Sequence, residues 1–451
     1  MSTPRIMLAP THRSTLPSVV AAAAAEIVGR QRRQVRYHHV GVSSPALAWD
    51  RWEGSSFLDP CLYGFGTMRS LYERATRGAD LSLLSADRGL FDTDPAAGRS
   101  PDGEWTPADV ARRLDCPVVL LIDSGGWGEG IAALANAFNE RARDWNLAGL
   151  LLCGVENRDS LERLRGLLAR TGVPVVGAIY ADGRLDWEMP AAGPAGLPLS
   201  EEALEAVFSQ IDITGLEDLA GQRGFLPRTA QPTRAPVKGP VVLVAGGRGF
   251  TPWSRDSIEL LEEAGAEVRR LDLLEDDRLP EEAAGLVLAG HLWPEALPEL
   301  SQNFSLMRDI RLRINEGLPT LALGGGMLYL LRRLQTPSGR TFALAGVLPS
   351  EGELLGELRP PEYMSLEARR GNLLFEEGER LVGWVTADAE IAESPVARNF
   401  AFSVGEGGRS QLEGAVAARL VCARVLVHLA SVEGTAERFV ETCRSARTGV
   451  G

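Results

Sequence analysis

The sequence predicts an α/β protein built from two parallel-sheet domains. Three observations carry that expectation. Short, nearly continuous apolar runs alternate with helical patterns, as strands do when crossover helices cover both faces of a sheet. The alternation occurs twice, interrupted by a stretch rich in Pro, Gly and cations. The chain has 451 residues, 45% hydrophobic and 24% charged, which is ordinary for a globular protein and long enough for two domains.

The elements follow in order. RIMLA (Arg5 to Ala9) reads as the first strand. SVVAAAAAEIVGRQRRQ reads as an Ala-rich helix ending in cations that suit its C-terminal dipole. QVRY, ADLSLLSA, CPVVLLID, NLAGLLLCGV and GVPVVGAIY read as further strands, with DSLERLRGLLART a helix between the last two. Gly221 to Pro240 has no periodicity and reads as a linker between domains at 1–220 and 241–451. Beyond it, GPVVLVAGG, AEVRRLDLL, AAGLVLAG and LPTLALGG read as strands. WSRDSIELLEEAG, closed by Gly265, and NFSLMRDIRLRINEG read as helices. The tail reads as a mixed strand or helix, then a terminal helix.

A net charge of -13 argues against a nucleic-acid partner, which would require a basic face. VVAAAAAEIV is too short to span a bilayer, which takes about 20 residues. Cys61, Cys116, Cys153, Cys422 and Cys443 are sparse, three of them inside apolar runs, as expected of buried, reduced thiols in a cytoplasmic protein. No spacing signals a metal site.

Ligands of parallel sheets bind beyond the C-terminal strand ends. The first such loop, APTHRSTLPSVV, lacks the glycines and lysine of a phosphate cradle, and Pro17 offers no N–H. Only Ser18 could serve a magnesium ion. In the second half, TLALGGGMLYLL (Thr320 to Leu331) has the strand–turn–helix form that presents a nucleophile, yet its turn is Gly324, Gly325 and Gly326.

Here the chain resembles the cobyrinic acid a,c-diamide synthase family, amidases that act on tetrapyrrole carboxylates. The resemblance rests on RGLFD, CPVVLLID, LAGLLLCGV, IELLEEAGAEV, WPE, PTLALGGGMLYL, LAGVLP and VHLAS, in that order along nearly the whole chain. It implies a P-loop-NTPase-like N-terminal domain using ATP and magnesium, and a class I glutamine amidotransferase-like C-terminal domain with a Cys nucleophile. Against the family's G-T-x-S-x-x-G-K-[ST], Thr11 and Ser18 match, while Pro10, Leu16 and Pro17 do not. His39 stands for a lysine, Ser85 for a metal-side Glu and Cys153 for a base-facing Asn; Asp92 and Asp123 survive. Thr11, Ser18, Asp92 and Asp123 are thus the remnant of a nucleotide site. In the other half Leu323 stands for Glu, Gly324 for the Cys nucleophile and Leu426 for the catalytic His, with His428 two residues on. Gly290 is kept and His291 inserted near the oxyanion turn. No catalytic residue remains on this reading.

Arg30, Arg32, Arg33 and Arg36 read as a solvated helix end or as one wall of an anionic pocket. His38 and His39 follow a strand without enough partners for a metal. Trp49, Trp52, Trp127, Trp253, Trp293 and Trp384 are expected in loops, as binding surface. The function expected is that of a non-catalytic homologue, a binding or scaffold subunit. Its partner would be another protein, an active paralogue or a tetrapyrrole-like molecule, in a homo- or hetero-oligomer. The alternative is active ATP-dependent amidation fed by glutamine or ammonia.

Overall fold

The computed structural model describes the chain apart from residues 1–2, 43–55, 94–101, 143–145, 184, 186–200, 223–238, 357–360, 386–388, 393–398, 406–410, 418 and 449–451. Most of the expected linker, with Trp49 and Trp52, therefore lies outside the described residues.

The first sheet has seven parallel strands: β1 (Arg5–Pro10), β2 (Val35–Val40), β3 (Phe57–Leu58), β4 (Leu81–Ser85), β5 (Val118–Asp123), β6 (Leu147–Val155) and β7 (Val175–Tyr180). Their order is β3-β2-β4-β1-β5-β6-β7. Helices α1 (Leu16–Arg30), α2 (Pro60–Ala75), α3 (Pro107–Arg113), α4 (Gly130–Arg141), α5 (Arg158–Leu168), α6 (Glu201–Gln210) and α7 (Ile213–Ala220) complete the first half. Pro17 falls in the first turn of α1, where a missing N–H costs nothing. The sequence reading missed α2, in which Gly64 departs from helical geometry at φ 74°. Asp59 caps it by accepting from the Cys61 N–H at 2.8 Å.

The second half is built on β8 (Val241–Gly246), β9 (Phe250–Pro252), β10 (Glu267–Asp272), β11 (Ala283–Leu292) and β12 (Thr320–Gly324), with helix α8 (Arg255–Glu263) after β9. Strands β10, β8, β11, β12 and Leu420–Ala423 run parallel in that order. Gly265 follows α8 at φ 95°, the left-handed conformation expected of a helix stop. Two smaller sheets, unread in the sequence, follow; one holds Glu362–Ala368, Arg380–Val385 and Leu426–Val427. Trp384 therefore lies in a strand and is buried, and Trp253 and Trp293 are buried too, contrary to the expectation of loop surface. Only Trp127, of the described tryptophans in that group, is exposed.

One apolar core runs through both halves, taking in Phe57, Tyr63 and Leu120 from the first and Trp253, Leu366 and Trp384 from the second. At the seam, Phe57 meets Trp384 edge-on with ring centroids 5.4 Å apart, and Tyr63 meets His428 at 4.9 Å. The buried Tyr363 hydroxyl donates to the Asp59 carboxylate across the same seam. Burial pushes Asp59 up to about 6, opposed by donors from Tyr363 and Cys61. Arg36–Glu259 and Arg74–Glu263 ion pairs ring the edge.

Truncating Phe57→Ala should lower unfolding free energy by about 3–5 kcal/mol in urea titration. It should act on both halves together; a loss confined to one transition of two would refute the shared core. Tyr363→Phe leaves a buried carboxylate short of a donor and should cost about 1–3 kcal/mol at pH 8. Asp59 holds its proton in the folded chain below about 6. The cost should therefore shrink by pH 5, measured as the difference in denaturation midpoints between wild type and variant.

Candidate functional site

In the second half, the turn after β12 keeps the geometry of a nucleophile elbow. Gly324 adopts φ 60° and ψ −123°, a conformation hostile to most side chains. The helix Gly325–Leu330 starts directly against β11. A Cβ on Gly325 would lie 2.2 Å from the Leu292 N, and one on Gly326 would lie 1.4 Å from the Leu288 carbonyl oxygen. These glycines are a packing requirement.

The structure brings Gly324 and Leu426 together. A Cβ on Gly324 would meet the Gly290 carbonyl oxygen at 2.7 Å and Leu426 Cδ2 at 2.9 Å. Any side chain there would press its Cβ on that main chain and leucine. His428, two residues on, is fully buried at the seam and not at the elbow; its Nδ1 accepts from the Ala430 N–H at 3.1 Å. Burial, with help from the Arg74 cation, pushes it down to about 3, so it stays neutral. His291 lies inside β11, pushed down to about 4 by burial. All five cysteines are buried; burial raises Cys116, Cys422 and Cys443 to about 12 and pushes Cys153 up as well, so none of these four is a ready thiolate.

In the first half, the strand ends that would face a ligand carry a self-satisfied polar chain. Ser18 Oγ bonds Ser85 Oγ at 2.8 Å and donates to Asp87; Tyr37 reaches Ser85 at 2.8 Å. His39 Nε2 lies 3.1 Å from Asp87, and its Nδ1 lies 2.8 Å from the Gly41 carbonyl oxygen. Burial disfavours charge on His39, but the Asp87 carboxylate outweighs it and raises the ring above its ordinary value. Sequence reasoning missed Asp87, whose only signal is its place two residues after Ser85. Thr11 instead pairs with His12, Asp123 accepts from the Gly125 N–H at 3.1 Å, and Asp92 is exposed beside Gly89; none joins Ser18.

ATP and magnesium do not fit these residues. The Leu16 N–H is taken by Ser14 Oγ, Pro17 has none, and those of Ser18 and Val19 point to the Thr15 carbonyl. The Ser18 hydroxyl is already engaged. Beyond β5 and β6 a cavity of about 240 Å³ opens beside Trp127, Glu156 and Arg163. Among the described residues no group of three potential metal ligands occurs, and no helix is long and apolar enough to cross a membrane. Arg33 and Arg36 are spent on ion pairs with Glu217 and Glu259.

The fold defines an α/β protein with a seven-stranded parallel sheet in its first half and a second, mostly parallel sheet in its other half. Along nearly its full length it resembles the cobyrinate a,c-diamide synthases. It is 25% identical to the cobyrinate a,c-diamide synthase of Caldanaerobacter subterraneus subsp. tengcongensis, covering 97% of this chain and 98% of that protein. It is 26% identical to that of Syntrophotalea carbinolica over 98% and 99% of the two chains. The hydrogenobyrinate a,c-diamide synthase of Mycobacterium tuberculosis is 28% identical over 85% of each. No family model matches. Among solved structures, a chain in the structure of PurLQS from Thermotoga maritima aligns with 46% of this chain and 97% of its own, at 15% identity and a TM-score of 0.33.

Gly324→Cys should produce a strained, crowded protein, with thermal unfolding showing a loss of about 1–3 kcal/mol. It should release no glutamate from glutamine. Glutaminase activity in this single variant would show that the elbow still has room for a thiol.

Proposed function

We propose that this chain works on the tetrapyrrole carboxylates for which its relatives are named, without hydrolysing glutamine, as a binding or partner subunit. One observation carries the reading: a Cβ at Gly324 would crowd the Gly290 carbonyl oxygen at 2.7 Å and Leu426 Cδ2 at 2.9 Å. The polar chain from Tyr37 through Ser85 and Ser18 to Asp87 supports it, since it occupies the groups a triphosphate and magnesium would need. The partner is then a protein that performs the amidation, such as an active paralogue, or the macrocycle itself.

A second reading is active ATP-dependent amidation of a tetrapyrrole carboxylate, fed by glutamine or by ammonia. The names of the full-length relatives favour it.

One experiment separates the two. The purified chain is incubated with magnesium ATP, cobyrinate or hydrogenobyrinate, and either glutamine or ammonium. Mass spectrometry follows amide and ADP, and visible absorption follows macrocycle binding. The first reading expects a spectral shift, or co-purification with an active synthase, and neither amide nor ADP. Amide and ADP from ammonium alone would establish the second reading. Glutamate release with amide formation would equally establish the second reading and overturn the first.

A further inference from the structure

Most of the seam between the halves is apolar; besides the Tyr363–Asp59 hydrogen bond, it holds a polar contact at Ser56 that joins three segments. Its Oγ lies 2.8 Å from His38 Nδ1 on β2 and 3.3 and 3.2 Å from the two carboxylate oxygens of Asp256 on α8. The Phe57 N–H approaches Asp256 at 3.4 Å. Asp256 and His38 are each 1% exposed and Ser56 is 9% exposed.

A serine hydroxyl has one proton to give. Given to His38 Nδ1, it leaves the contact with Asp256 as a hydrogen bond only when Asp256 carries a proton and donates it. Given to Asp256, it requires His38 to donate from Nδ1, and the ionised carboxylate is left with long bonds in a dry seam. His38 Nε2 has no hydrogen-bond partner, so nothing on that side fixes its tautomer.

The groups facing Asp256 do not supply the missing compensation. Glu259, one turn along α8, repels a charge there. Arg74 on α2 favours one, but it gives Nη1 to Glu263 at 2.9 Å, and its Nε and Nη2 make no hydrogen bond. Arg36 on β2 and Arg255 on α8 both lie against Glu259, at 3.4 and 3.1 Å. Tyr63 on α2 and His428 complete the surroundings as neutral groups. The α8 N-terminus favours the ionised form, typically by less than burial opposes it.

We infer that the seam is proton-linked: the closed contact holds one proton on the chain Asp256–Ser56–His38, and parting of the halves there releases it to solvent. Burial first, then Glu259, pushes the Asp256 carboxyl from 3.8 up to about 7 against Arg74, Phe57 and Ser56. The carboxyl thus keeps its proton when closed and loses it when exposed. The resulting stabilisation is complete below 3.8 and is lost as pH rises to about 7. Asp59, raised to about 6, acts in the same sense; His38 and His428, both lowered to about 3, act in the opposite sense. The informative quantity is therefore the difference between wild type and a variant that cannot titrate at position 256.

Hydrogen exchange on the intact chain tests this, read at Ser56–Leu58 and the first turn of α8 between about pH 5 and 8.5. Rates are corrected for intrinsic chemistry and compared between wild type and Asp256→Asn. The protection of the variant relative to wild type should rise by about tenfold per pH unit up to about pH 7 and stay constant above it. A ratio independent of pH overturns the inference. Infrared titration of the wild type provides a reading that needs no variant. A buried carboxylic-acid band should persist above the range of Asp59 and vanish near pH 7, and its absence at pH 6.5 equally overturns the inference.

Discussion

The structure depends on the apolar contact at Phe57. That side chain opens β3, the edge strand of the first sheet, and packs against Trp384 and His428 from the second half. Burying three rings at one point removes enough apolar surface to make the two sheets share a core instead of meeting through a wet boundary. The contact also dries the polar groups around it. Asp59, Asp256, His38 and His428 are all displaced from their ordinary titration ranges, each chiefly by burial. Packing at this seam thus sets the protonation of groups that take no part in either strand-end site.

Strands β1, β5, β6, β7, β8, β11 and β12 were legible because each is a nearly unbroken apolar run, as in a sheet covered on both faces, whereas the two-residue β3 left no such trace. Helix α2 was not legible, because Pro60, Gly64 and Gly66 interrupt its pattern and only the Asp59 cap restores a start signal. The small sheets after Leu331 were not legible either. Their strands are mostly three to seven residues long and pair over large separations, as Trp384 does with Leu426. Such pairing leaves little local trace. The same distance hid the burial of Trp384, which a local reading assigns to a loop. At the candidate sites the residue types could be read from the sequence, but the contacts they make could not. Asp87 and the crowding of Gly324 by Leu426 and Gly290 are facts of packing.

The surroundings of Gly324 are close-packed and hold no cavity a side chain could drop into unopposed. An absent nucleophile with its cavity kept would leave space at Gly324, as truncation of a buried side chain does. Here the Leu426 side chain and the Gly290 carbonyl oxygen take that space, and Leu426 is itself 2% exposed. The glycines of the turn persist for a different reason, since any side chain at Gly325 or Gly326 would collide with the backbone of β11. Elbow and nucleophile are therefore under separate constraints, and the first can outlast the second.

The first half follows the same logic with polar groups. A buried serine, aspartate or tyrosine needs a partner whether or not a ligand is present. Ser18, Ser85, Asp87, Tyr37 and His39 find those partners in one another, on β2, α1 and the end of β4. A ligand entering there would have to break a short Ser18–Asp87 bond and a His39–Asp87 pair before making its own contacts, and Pro17 offers no N–H in exchange. The network thus ties the C-terminal ends of the strands together in the role that a bound anion and cation play elsewhere. It gives a physical reason why these strand ends stay ordered through contacts among their own side chains.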